Sequence, residues 1–148
     1  MKKKDLMKAV VFDLDNTLCN CDWRLRFAIG KDKDWDKFHS GCEFDGSILN
    51  NVELAKRLCS DGYAVLIFTG RNEKYRKLTV DWINARSLPV SQLSMRPEFH
   101  RAPAKSLKLG FLRQFKKLGY DIRFVFDDDK EVRTHLIKYG YVAIDSKM

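Results

Sequence analysis

Three apolar runs of this chain each end in polar, mostly acidic residues. Val10-Val11-Phe12 runs into Asp13-Leu14-Asp15-Asn16-Thr17, Ala64-Val65-Leu66-Ile67-Phe68 into Thr69-Gly70-Arg71, and Phe124-Val125-Phe126 into Asp127-Asp128-Asp129. Asp13 and Asp15 are two residues apart, so on an extended strand both point to the same side. One such carboxylate can be a nucleophile while its neighbour carries protons to and from the leaving oxygen. Alone, Asp15-Asn16 would equally serve as a turn after a strand; three such groups together point to chemistry. Crowded carboxylates raise one another's pKa unless a cation sits among them. A hard divalent ion relieves that repulsion, and Mg²⁺ binds through one or two carboxylates plus phosphate and water.

The elements that must position these groups follow from periodicity. The three apolar runs, with Tyr141-Val142-Ala143-Ile144, read as strands buried on both faces, the habit of a parallel sheet. Helical stripes lie between them: Ile48, Val52, Ala55 and Leu58; Tyr75, Leu78, Trp82 and Ile83 after a cap at Asn72; Leu107, Phe111, Phe115 and Leu118; and Val132, Leu136 and Ile137. Gly62-Tyr63, Gly119-Tyr120 and Gly140-Tyr141 each suit a helix exit into the next strand. This alternation predicts an α/β fold, a three-layer sandwich around a central, mainly parallel sheet, with ligands bound at the carboxyl ends of the strands. Residues 19–46 match neither period and read as a small helical flap after the first strand, within a single domain of residues 1–148.

The 148 residues carry a formal net charge of +8. That excess favours anionic partners, with nucleic acid or nucleotides ahead of membranes. Lys2-Lys3-Lys4 contributes and reads as a frayed tail rather than a binding arm. No apolar run approaches the roughly 20 residues of a membrane span, and Asp5 and Lys8 interrupt any signal-peptide core, so a cytoplasmic location is expected. Cys19, Cys21, Cys42 and Cys59 are then reduced thiols. Cys19, Cys21, His39 and Cys42 have spacings a zinc ion accepts, although no C-x-x-C loop is present, and packing explains them more simply.

The run Val10–Leu18 resembles the first motif of the haloacid dehalogenase (HAD) superfamily, a strand followed by D-x-D-x-T. Phe68-Thr69-Gly70-Arg71 resembles its second motif and Phe126-Asp127-Asp128 its acidic fourth. The third, a helical Lys, falls on Lys108 or Lys105, and the spacing to Asp127 in similar phosphatases favours Lys108. The resemblance spans nearly the whole chain. It implies a HAD-like Rossmannoid fold, with Asp13 attacking phosphorus and Asp15 as acid/base. It implies also that Thr69 and Gly70 meet the transferring phosphoryl group and that Lys108 neutralises it. Mg²⁺ would be held by Asp13, the backbone carbonyl of Asp15, and Asp127 or Asp128. An Asp at the second carboxylate position is the phosphatase or phosphotransferase form of the motif.

The chain is also similar to the 3′-phosphatase domain of phage polynucleotide kinase–phosphatases, in Arg24, Thr69-Gly70-Arg71, the Tyr75-Arg76…Trp82 helix, Asp127-Asp128 and Tyr139-Gly140. It departs from those relatives at Asn16, where many have Gly, and at Asp129, where they tend to have Arg. No Gly-rich P-loop ending in Gly-Lys-Ser/Thr occurs, so a free-standing phosphatase is implied. Its expected substrates are phosphorylated nucleic-acid ends, above all 3′ ends, without an obligate protein partner or a membrane. The alternative is a nucleotidase or general small-molecule phosphatase of the same superfamily. Arg24 and Arg71 are the candidates for gripping phosphate, and Trp23, Trp35 and Phe38 for stacking on a base or packing the flap.

Overall fold

In the computed structural model, which describes residues 6–147, the elements run β1 (Met7–Phe12), β2 (Cys19–Asn20), α1 (Trp35–Ser40), β3 (Gly46–Ser47), α2 (Leu49–Ser60), β4 (Ala64–Asn72), α3 (Arg76–Ala85), β5 (Val90–Arg96), α4 (Ala104–Lys117), β6 (Tyr120–Asp127), α5 (Lys130–Lys138) and β7 (Ala143–Asp145). Five strands form one parallel sheet in the order β5-β4-β1-β6-β7. The Lys2-Lys3-Lys4 run lies outside the described residues.

Successive side chains of β1 point to opposite faces, and each face has its own core. Ala9 and Val11 pack with Leu107, Leu112 and Phe115 of α4 and Val132 and Leu136 of α5. Val10 and Phe12 pack with Val52 and Ala55 of α2 and Trp82 and Ile83 of α3. The sheet is therefore covered on both sides, as a buried parallel sheet requires. From β1 the chain continues to β4 on one side, while β6 occupies the other. Such a reversal of strand order leaves a crevice at the carboxyl ends, where loops diverge. The α/β sandwich around a central parallel sheet is the one expected.

Two elements differ from the sequence reading. β5 was not anticipated: it is an edge strand whose Ser91, Gln92 and Ser94 break the apolar run. β7 begins at Ala143, two residues after the Tyr141 expected to open it, whereas β6 begins at Tyr120, where the Gly119-Tyr120 exit set it. Gly62, Gly119 and Gly140 take φ of +96°, +102° and +92°, the left-handed exits their positions called for. The segment after β1 is closed at its mouth by a short antiparallel ladder, Cys19 with Ser47 and Asn20 with Gly46. Between those ends lie two 3₁₀ turns, Asp22–Phe27 and Gly41–Phe44, flanking α1, whose first turn is capped by Asp34 accepting from the Lys37 N–H.

Candidate active site

At the end of β1 the Asp13 N–H donates to the Phe126 carbonyl at 2.8 Å, so the two central strands stay paired up to their last residues. The chain then reverses around Leu14, whose carbonyl accepts from the N–H groups of Thr17, Leu18 and Cys19. Asn16 makes that reversal possible at φ +62°, a conformation Asn tolerates better than most residues. The turn returns Thr17 beneath Asp13, and its hydroxyl donates to Asp13 Oδ2 at 3.3 Å. Thr17 Oγ1 also shares a hydrogen bond of 2.8 Å with Ser146 Oγ, and Asn51 Nδ2 donates to the carbonyls of both Thr17 and Ser146. Asn51 and Ser146 thus brace the loop after Asp13 from α2 and from beyond β7. Neither was singled out from sequence, because nothing local marks an Asn or a Ser as a brace between distant segments.

On the other side, Lys108 rises from α4. Its Nζ donates to Asp13 Oδ1 at 3.0 Å and to Asp127 Oδ2 at 2.7 Å, with all three side chains buried. Lys105, one turn earlier, pairs with Glu131 on the surface at 3.1 Å. Burial pushes the Asp13 carboxyl well above the usual carboxylate range. Lys108 pulls against that shift, while Asp127, Asp128 and Asp15 add to it. Burial likewise raises Asp128. Burial works against a charged Lys108, yet Asp13 and Asp127 hold its pKa above the ordinary value. Carboxylate oxygens of Asp13, Asp127 and Asp128 all lie within 4.8 Å of one another. Three oxygen donors with one lysine among them remain short of positive charge, and a hard divalent cation fits that donor set. Asp127 Oδ1 is occupied by the Asp129 N–H at 2.9 Å, whereas Asp128 faces the pocket. Asp129 caps α5 by accepting from the N–H groups of Glu131 and Val132.

The geometry of Asp15 corrects one expectation. Arg71 Nη2 donates to Asp15 Oδ1 at 2.5 Å and Arg24 Nη2 to the same oxygen at 2.8 Å. Arg24 is fully buried, gripping Asp45 through Nε at 2.8 Å and Nη2 at 2.6 Å, with Nη1 on the Phe38 carbonyl. A guanidinium so committed has no face to offer a phosphate, and the structure places Arg24 as a strut between flap and site. Arg71, also buried, adds Thr79 Oγ1 at 2.9 Å to its partners. Its Nε is without a hydrogen-bond partner. Burial alone would raise the Asp15 pKa, but Arg71 and Arg24 hold it well below the usual carboxylate range. Asp45 was missed because its partner is 21 residues away across the flap.

Asp13, Asp15, His39, Thr69, Gly70, Arg71, Lys108 and Asp128 line one open pocket of about 360 Å³. Thr69 is buried, its Oγ1 accepting from the Arg71 N–H, and the Gly70 carbonyl accepts from Arg96 Nε. The flap aromatics divide between the two readings. Phe38 packs under the Arg24 guanidinium, 4.7 Å from its ring centre, and Trp23 Nε1 donates to Asp45, while Trp35 stays half exposed. Among the described residues, Cys19, Cys21, His39 and Cys42 do not gather into a metal-ligand group. Burial raises the thiols of Cys19 and Cys42 and pushes Cys21 up to about 12, so they stay protonated.

The family described as Polynucleotide kinase PNKP phosphatase domain matches residues 7–142 of the chain. No curated protein matches it by sequence. Among solved structures, it is similar to a chain of the Pnkp1/Rnl/Hen1 RNA repair complex, with a TM-score of 0.82 and 21% identity over 95% of this chain, and it spans 42% of that chain's length. It is similar also to the class C acid phosphatase from Bacillus anthracis, with a TM-score of 0.68 and 14% identity, covering 97% of this chain and 68% of that one. A haloacid dehalogenase-like hydrolase from Streptococcus pneumoniae gives 0.65 and 14%, covering 96% and 85%. At these identities the structural likeness establishes a shared fold. No helix among the described residues is long and apolar enough to cross a membrane.

Proposed function

Because the chain belongs to the polynucleotide kinase PNKP phosphatase domain family, a family of HAD-type phosphatases, we propose that its site removes the terminal phosphate from nucleic-acid 3′ ends through a phospho-aspartate at Asp13. The observation that carries this reading is the position of Asp13. Its carboxylate stands at the pocket floor between the Lys108 ammonium and the Thr17 hydroxyl, with Asp15 two residues on.

In the first step an Asp13 oxygen attacks phosphorus and the bond to the 3′ oxygen breaks, the leaving oxygen taking up a proton from Asp15. In the second step Asp15 draws a proton from water, which attacks phosphorus and releases inorganic phosphate and the free Asp13 carboxylate. The pairs with Arg71 and Arg24 keep Asp15 ionised at rest, the state the second step needs. To protonate the leaving oxygen in the first step, Asp15 must first take up a proton from solvent as those pairs loosen. Lys108 and the polar groups of Thr69 and Gly70 surround the place where the phosphoryl oxygens gather charge. Asp13, Asp128 and the backbone carbonyl of Asp15 would hold Mg²⁺, with Asp127 fixed behind them by Lys108. When bound, the ion supplies charge neutralisation at the phosphoryl group.

Turnover of a 3′-phosphorylated oligonucleotide, its 5′-phosphorylated isomer and a 3′-mononucleotide, each with Mg²⁺ and with chelator, tests this reading. The expected order has the 3′-phosphorylated oligonucleotide first, and activity vanishes with chelator. Asp13→Asn should lower kcat by about 10³-fold or more, since an amide cannot attack phosphorus. Equal rates on mononucleotide and oligonucleotide would replace this reading by a nucleotidase. Substantial turnover by Asp13→Asn would falsify the covalent route.

A further inference from the structure

Much of the net charge of +8 comes from two helices. Helix α4 carries five Lys or Arg and no acid, and α5 carries three and a single acid, so these two helices hold seven of the eight net charges. By contrast, Asp22–Phe44 in the flap has five basic and five acidic residues and is neutral as a whole. Lys108 belongs to the active site, but Lys130 and Lys138 are exposed and have no carboxylate partner among the described residues.

Between the two helices runs a groove of about 530 Å³ lined by Lys105, Lys130, Glu131, Thr134, His135 and Lys138. It abuts the active site at two points. Ala104 and Asp129 border the catalytic pocket, and the residues that follow them, Lys105 and Lys130, border the groove. The single acid there, Glu131, holds Lys105 until another anion claims it.

We infer that this groove carries the strand leading up to the terminal phosphate, its phosphodiesters resting on Lys105, Lys130 and Lys138. The inference rests on the polynucleotide reading and gives it a direction: the strand leaves the pocket over α4 and α5, away from the flap. Lys130 and Lys138 are two helical turns apart, about 12 Å. That distance equals the rise of three to four stacked nucleotides at ~3.4 Å each, so the advantage of a longer substrate should level off near four to five nucleotides.

The test uses the full chain with Lys130→Glu/Lys138→Glu, and with Lys31→Glu/Lys33→Glu in the flap for comparison. One measurement is kcat/KM on 3′-phosphorylated oligothymidylates of one, two, four and eight nucleotides. The other is binding of a fluorescein-labelled octamer to the same variants in an Asp13→Asn background. The groove variant should bind the octamer about tenfold more weakly and lose most of its eight-to-one preference. Its salt slope should fall by about 1.4, the share of two phosphate contacts on a single strand. The flap variant should keep the preference of the parent. A loss in the flap variant with none in the groove variant overturns the path and leaves the polynucleotide reading standing. If the unaltered protein shows no length preference, that reading fails, and the groove assignment with it.

Discussion

Two guanidinium groups converge on one oxygen of Asp15, and Asp45 holds one of them from behind. This chain of charges explains why the Asp15 carboxylate, two residues from Asp13, stays ionised in a buried setting. Arg24→Ala should leave the buried Asp45 without its cation, holding only the Trp23 indole N–H, and cost about 3–5 kcal/mol of stability. A chemical denaturation curve measures that loss, and an unchanged midpoint would return Arg24 to the role of a phosphate ligand. Asp15→Asn should remove most turnover of alkyl phosphates and spare more of it on p-nitrophenyl phosphate, whose leaving group needs little protonation. Equal losses on both would deny Asp15 the acid step. Asp13 and Asp15 were legible in the sequence as carboxylates following an apolar run, although they lie past the end of β1 and the turn around Leu14, not strand alternation, directs them to one pocket. The partners that tune them were not. Asp45, Asn51 and Ser146 reach the site from loops and helices far along the chain, and no local spacing encodes such contacts.

At the scale of elements, the segment from Cys19 to Gly46 shows what periodicity cannot supply. Its 3₁₀ turns are too short for a helical stripe, and its ends are joined by a ladder of only two residues a side. β5 escaped for a related reason: an edge strand needs only one well-covered face, and Met95 is its single buried residue. Within the flap, α1 carries His39 against Phe38, Trp35 and Tyr75. Its Nδ1 is buried without a partner, and burial pushes the imidazole pKa down to about 4. A group whose folded pKa lies below its unfolded value stabilises the fold above that unfolded value, about 6.5. The contribution is lost as pH falls through 4. The unfolding free energy of the unaltered protein should therefore drop more steeply between pH 6.5 and 4 than that of His39→Phe in denaturant titrations, the difference reaching about 2 kcal/mol at a ring partly screened by solvent. Parallel curves for the two proteins would show that His39 is not buried in solution.

Across the whole molecule, the carboxylates of Asp13 and of Asp127 and Asp128 arrive from the two central strands, so whatever binds among them joins both halves of the sheet. Mg²⁺ at a hundred times its Kd should stabilise the fold by about 2.7 kcal/mol, raising the melting temperature by about 5–10 °C for a chain of this size. Scanning fluorimetry reads this directly, and Asp128→Asn should abolish most of the rise. A melting point indifferent to Mg²⁺ would remove the cation from the site. The charge of +8 was plain from composition, but its gathering on α4 and α5 emerged only once the sheet order brought those helices side by side. The strut formed by Arg24 has a last consequence for how flap and core move together. Since one guanidinium binds both Asp45 in the flap and Asp15 at the catalytic rim, order in the flap and the proton affinity of Asp15 are thermodynamically linked, and linkage is reciprocal. Whatever strengthens the Arg24–Asp15 pair lowers the proton affinity of Asp15, and a proton arriving on Asp15 weakens that tie to the flap by the same free energy.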